Sequence, residues 1–143
     1  MSGIEVKITG LDEELEKIRS LGPTFDKHII RELNKHGLDW RDDARKNTPV
    51  VTGDLRRSMT FEGVEKVGDK IVSTVSNNME YAEHVEYGHR QEVGRYVPAI
   101  GKRLVQPYVP GQYIMTNARA RAIQKLPGAI RKAIREAEDE LNE

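Results

Sequence analysis

With 143 residues, 37% of them apolar and 32% charged, the chain has the length of one domain but material for only a thin core, or one completed by neighbouring subunits. The absence of cysteine excludes disulfides, thiolate metal sites and cysteine nucleophiles. No stretch approaches the roughly 18 consecutive apolar residues of a membrane helix, and MSGIEVKITG lacks the basic-then-apolar layout of a secretion signal. The net charge of zero hides an asymmetry. Residues 1–92 carry 14 Lys/Arg and 18 Asp/Glu, residues 93–135 carry nine Lys/Arg and no acid, and the last eight residues carry five acids and no base. A basic segment between an acidic body and an acidic tip suits nucleic acid, the acidic face of an identical neighbour, or simple solvation.

In chain order, Ile4, Val6 and Ile8 alternate with Glu5 and Lys7, predicting a short half-buried strand. Leu11, Leu15 and Ile18 then fall on one face of a short helix that Leu21-Gly22-Pro23 ends. Thr24 is the expected cap of the longest element, about Phe25 to Lys46, whose stripe is Phe25, Ile29, Ile30, Leu33, Gly37, Trp40 and Ala44. A glycine inside such a stripe predicts a close backbone approach. Trp40 reads as a core anchor in preference to a ligand platform.

Thr48-Pro49 stops the helix, because the proline ring clashes with a helical preceding residue. Val50 and Val51 cross as an apolar step, and Thr52 is placed to cap a turn that Leu55 and Met59 pin inward, with Arg56 and Arg57 outside. Met59–Val67 and Lys70–Asn77 read as a hairpin joined at Gly68-Asp69, with a bulge at Gly63. Asn77-Asn78 then introduces a short helix with Tyr81, Ala82 and Val85 facing in and Gly88 at its end. From about 89 to 111 the helical period is lost and Pro98, Pro107 and Pro110 appear; this predicts a projecting β-arm or loop that docks on something else. Tyr113 to Gln124 resumes a helix, and Pro127 starts a last one. The expected fold is α+β and a single domain over 1–143: a small antiparallel sheet on one long helix, a projecting arm and C-terminal helices.

Catalytic signals are poor. His84, Glu86 and His89, with Glu83 beside them, offer metal-ligand types, but the histidines are five apart with Gly88 between them, and helical ligand pairs want four. They read as surface histidines, as do His28 and His36, eight apart on the long helix. Ser58, Ser73 and Ser76 lie in no nucleophile-elbow pattern, and no phosphate loop occurs. No enzyme, cofactor or metal is indicated. Arg95, Tyr96, Lys102, Arg103 and Tyr108 mix cations with aromatics as protein interfaces and nucleic-acid surfaces both do.

Two blocks carry a resemblance. Pro49, Thr52, Gly53, Leu55 and Ser58 match a proline, an apolar step and T-G-x-L-x-x-S; Tyr81, Ala82, Val85, Glu86, Tyr87 and Gly88 match Y-A-x-x-V-E-[YF]-G. In this order and spacing, from about residue 25 onward, the chain resembles the tail-component or tail-completion family of long-tailed bacteriophages, called after gene product ten of a lambdoid phage. The run Val109 to Met115 looks like the segment that opens the C-terminal helix in many members. Gly88-His89 stands where many relatives have Gly-Thr, a variant also common in the group. The resemblance implies a structural virion protein without enzymatic activity. It would sit at the head–tail junction in a ring of six, assembled in the host bacterial cytoplasm, with genomic DNA passing through the lumen. Its neighbours would be head-completion or connector proteins on one side and tail-terminator or tail-tube proteins on the other, with no membrane. A DNA-binding module using the basic segment 93–135 is the competing reading.

Overall fold

Two long antiparallel-packed stripes of apolar residues, one from each end of the chain, make the frame. The computed structural model describes residues 4–8, 22–49, 53–67, 70–99 and 101–142. Its elements are β1 (Ile4–Ile8), α1 (Pro23–Lys46), α2 (Asp54–Arg57), β2 (Met59–Val67), β3 (Lys70–Asn77), α3 (Ala82–Tyr87), β4 (Gly88–Arg90), β5 (Tyr96–Val97), β6 (Lys102–Arg103), β7 (Tyr108–Pro110) and α4 (Ile114–Leu141). The expected helix through Leu11, Leu15 and Ile18, the Val50-Val51 step, Thr52 and the Gly68-Asp69 turn lie outside the described residues.

α1 buries the face its period predicts: Phe25, Ile29, Leu33, Gly37, Trp40 and Ala44 are all inside. Its start differs from expectation. Gly22, at φ 81°, is the N-cap and Pro23 opens the first turn, while no side chain caps the helix. Proline supplies a helical φ where its missing N–H is not needed, so no threonine cap is required. A Cβ on Gly37 would overlap the Phe61 ring, which is the close approach expected there. At the other end Thr48 is buried, and its Oγ1 donates to Ala44 O at 2.7 Å. Pro49 then leads the chain away.

β2 and β3 form the expected antiparallel hairpin, with the register slipping between Phe61 and Val64 across Gly63. β1 pairs with β3 on its other side, giving the order β1-β3-β2. Arg119 Nε donates to Lys7 O at 2.8 Å, so a side chain occupies a carbonyl of β1. The α2 turn begins at Gly53 (φ 84°), not at a threonine cap, and buries Leu55. Arg56 is half-buried, not outside: its Nη2 donates to Thr48 O at 2.9 Å. With Arg45 donating to Met59 O and Asn77 Nδ2 to Leu55 O, it ties Thr48 and the 53–59 turn to α1 and the sheet.

The C-terminal part holds one helix, not two. α4 runs 28 residues straight through Pro127. Both halves of its stripe lie on the sheet-and-α1 core: Met115, Ala118 and Ala122 with Trp40, Met59 and Val75, then Ile130, Ala133 and Ala137 with Phe25, Ile29 and Leu33. Leu126, beside the proline, packs against both clusters. Packing on both sides therefore overrides the break that proline imposes locally, about 3 kcal/mol relative to alanine. Pro127→Ala should accordingly raise the free energy of unfolding in urea, by up to about 3 kcal/mol. A proline that merely began a fresh helix would give no gain.

Nor do His28 and His36 sit on the surface; both are buried in the α1–α4 seam. His28 bridges Glu136 and Glu140, Lys27 pairs with Glu140, and Arg31 Nη2 donates to Glu136 Oε2 at 2.6 Å. The acidic tip of the sequence thus folds back on the start of α1. The hydrogen bond from Arg31, with further ones from Glu32 and His28, outweighs burial and pulls the Glu136 carboxyl down to about 2. Lys27, and then His28, lower that of Glu140. Because both carboxyls are depressed in the fold, their stabilisation is complete above the unfolded value near 4.5 and drains away as pH falls toward 2. Thermal midpoints measured from pH 5 to pH 2 should fall, and Glu136→Gln should flatten that slope.

Candidate assembly interface

The arm begins where α3 ends. Gly88, at φ 88°, turns the chain out of α3, and Gly111 brings it back; a Cβ on either would run into the backbone of the other strand of the crossing. Above this neck β4 pairs with β7, Gly88 opposite Pro110 through Arg90 opposite Tyr108. The ladder continues through Gln91 N to Pro107 O (2.8 Å), Gly94 N to Leu104 O (2.7 Å) and Leu104 N to Arg95 O (2.8 Å). β5 and β6 close the tip, Tyr96 opposite Arg103 and Val97 opposite Lys102. Three prolines remain compatible with this because the strands are short and narrow and have open edges.

The arm buries little of what it carries. Val93 is 58% exposed, Tyr96 52% and Val105 81%, and Arg95, Lys102 and Arg103 are exposed as well. Arg103 is partly committed to the arm itself: Nη1 donates to Gly94 O at 2.9 Å, and the guanidinium lies 5.9 Å from the centre of the Tyr96 ring. Tyr108 donates from its hydroxyl to Tyr87 O at 3.0 Å, fastening the neck. The basic segment is therefore divided. Its remaining cations sit on α4, where Arg121 Nε donates to Asp43 Oδ2 at 2.7 Å and Lys132 pairs with Glu32 and Glu136.

The neck is anchored by Glu86, a residue that sequence reasoning placed among histidines. The side chain is 2% exposed and turns away from His84 and His89, whose rings stack on each other 5.0 Å apart. Its Oε1 accepts from Met115 N (2.7 Å), and its Oε2 from Thr116 N (2.8 Å) and Thr116 Oγ1 (2.6 Å). It is thus the N-terminal cap of α4, supplied from α3, and its charge meets the positive end of that helix. Tyr113 N to Glu86 O (3.0 Å) and Gln112 N to Val85 O (2.8 Å) complete the joint. Tyr113 occupies a left-handed conformation (φ 51°) and packs edge-on to Tyr87. A motif glutamate followed about 30 residues later by a helix without its own capping side chain is the signal that could have revealed this.

Of the other motif residues, Ala82 is buried and Val85 half-buried, while Tyr81 is exposed, contrary to its expected inward position, because it precedes the α3 turn as its N-cap. Tyr87 is exposed beside Tyr113, Pro49 is exposed and Ser58 half-buried. Among the described residues no group of three His, Cys, Asp or Glu is placed to hold a metal ion.

A family model described as "HK97-gp10_like: Bacteriophage HK97-gp10, putative tail-component" matches residues 12–88. That span exceeds half the chain and contains both motif blocks. The chain belongs to this family. No curated protein and no solved structure matches it. As an HK97-gp10-like chain it is a bacteriophage tail component, associated with the virion. Among the described residues no helix is long and apolar enough to cross a membrane. The family match ends at Gly88, where the arm begins, and the arm and α4 lie outside it.

Proposed function

We propose that the chain is a tail-completion protein at the head–tail junction, one subunit of a closed ring of six that joins the tail to the capsid connector. The observation that carries this is the arm: a hydrogen-bonded ladder that holds Val93, Tyr96, Val105, Arg95 and Lys102 out in water. A two-stranded ribbon of this size gains little stability for itself. Apolar and basic side chains on a shaped projection are the composition of a docking surface. A ring requires one patch of each subunit to match a different patch of the next, and a basic arm on a chain with acidic surfaces provides such a pair. Genomic DNA passes through the lumen without sequence-specific contact. Head-completion or connector proteins lie on one side, and tail-terminator or tail-tube proteins on the other.

The test reverses two exposed cations near the arm tip whose side chains have no partner among the described residues. Arg95→Glu with Lys102→Glu should leave the folding midpoint nearly unchanged, as exposed substitutions do. Joined particles should fall by at least about a hundredfold, as when two interfacial charges are inverted, with heads and tails accumulating separately. Normal joining by this variant would contradict the proposal. A DNA-binding module would instead show steeply salt-dependent binding of duplex DNA by the isolated protein.

A further inference from the structure

A concave surface at the base of the arm is left apolar and open. It is a groove of about 570 Å³, with Ala120 and Ile123 of α4 as its floor, Tyr87 as one wall and Glu5 and Lys7 of β1 as the other. Tyr113 stands edge-on to Tyr87, their ring centres 6.1 Å apart. Tyr87 is 52% exposed, Tyr113 46% and Ile123 39%, so three large apolar side chains sit around one concavity in water. Contiguous patches of this kind mark contact sites. The backbone supplies a second, independent observation. Among the described residues Tyr113 is the one non-glycine with positive φ (51°). Glycine would take that conformation with less strain. A large ring kept at a strained position and half in water points to a contact outside the chain. The groove also holds one unbalanced charge. Glu5 and Lys7 pair with each other at 3.8 Å, whereas Arg119 donates to the carbonyl of Lys7 and has no carboxylate partner among the described residues.

The arm carries the matching features. Val93 and Val105 lie on opposite strands of its ladder, between the Gln91–Pro107 and Gly94–Leu104 hydrogen bonds, and form an exposed apolar knob. Beside Val93 stands Glu92, the only acid between residues 89 and 135, exposed and without a side-chain partner among the described residues. We infer that the Val93–Val105 knob of one copy seats in the Tyr87–Ile123 groove of the next, with the Glu92 carboxylate on the Arg119 guanidinium. The inference rests on reading the arm as an assembly element, and it names the surface on which the arm lands. Apolar meets apolar, and the arm's single acid meets the groove's single unpaired cation. Arg95 and Lys102 lie nearer the tip than the valines and project past the groove, away from Arg119. The chain does not fill its own groove, because the paired strands of the neck hold both valines out in water. Knob and groove are different patches of the same surface, so the contact runs head to tail from copy to copy, as a ring requires.

Cysteine pairs test the placement cleanly, because the chain has no cysteine of its own. Val105→Cys on the knob is combined with Ala120→Cys on the groove floor, or with Thr60→Cys on β2 as a control; all three positions are exposed. Assembled full-length protein is oxidised and separated under denaturing conditions. The 105–120 pair should give a ladder of cross-linked chains and the 105–60 pair none. Glu92→Arg should weaken self-association at least about tenfold with its folding midpoint retained, and adding Arg119→Glu should restore it. Assembly that proceeds while the 105–120 pair cross-links no faster than the control would overturn the inference and leave the ring intact. So would a folded double variant that recovers nothing, or a cysteine at 120 captured by a different virion protein. A chain that forms no oligomer, alone or in particles, would overturn the ring and this inference together.

Discussion

Glu86→Ala is expected to lower the free energy of unfolding by about 3–5 kcal/mol, several times the loss at an ordinary surface cap. Three donors converge on that carboxylate, and its two backbone partners, Met115 N and Thr116 N, are among the first N–H groups of a 28-residue helix. Removing the acceptor leaves Met115 N without a partner in a buried position, and Thr116 N without one at the more exposed side of the joint. It also removes the negative charge from the positive end of α4. Glu86→Gln should cost about half as much, because one amide oxygen replaces two carboxylate oxygens and its NH2 faces a donor. Urea unfolding followed by circular dichroism reads both. A loss below about 1 kcal/mol for the alanine variant would mean that solvent can take over the cap.

The second large effect belongs to Trp40. It is 3% exposed and packs with Ala44, Met59, Val75, Ile114 and Met115, where α1, the sheet and the start of α4 meet. Truncating a buried indole to alanine removes its transfer free energy and leaves a cavity, together about 3–5 kcal/mol. Trp40→Ala should therefore lose that much stability, again by circular dichroism, since the chain has a single tryptophan and its fluorescence disappears with it. A ligand platform on the surface would tolerate the change within about 0.5 kcal/mol.

These two residues show what the sequence makes legible. Trp40 could be read because its place depends on a local period: the stripe from Phe25 to Ala44 repeats every 3.6 residues wherever the helix packs. The β2–β3 hairpin was readable for a similar reason, since alternation and a glycine bulge are contained within twenty residues. Glu86 was not readable, because its partners are Met115 and Thr116, and nothing within α3 marks a side chain as another helix's cap. His28 and His36 failed in the same way; their burial is set by Glu136, Glu140 and Ala122 on a helix more than eighty residues later. Pro127 shows local chemistry overruled. Its ring disfavours helix, yet Leu126, Ile130 and Ala133 have a hydrophobic surface waiting for them on α1, and tertiary packing wins. The charge runs were visible but not their division, since only the fold assigns Arg121 and Lys132 to internal pairs and leaves Arg95 and Lys102 on the arm.

The family match covers residues 12–88, which include α1, the β2–β3 hairpin and α3. The neck at Gly88 and Gly111, steadied by the Glu86 cap, holds the arm away from the core. In the proposed ring the hydrogen-bonded neck would present the arm already formed. An arm ordered before contact loses less conformational entropy on docking than a loop that must order itself at that moment.

Electron microscopy of assembled particles, with this chain located in the density, tests the central claim most directly. The account predicts a closed circle of copies at the head–tail junction, the arm of each lying on a neighbouring subunit. Copies found elsewhere in the tail, or arms that rest on their own sheet and touch no other subunit, would contradict it.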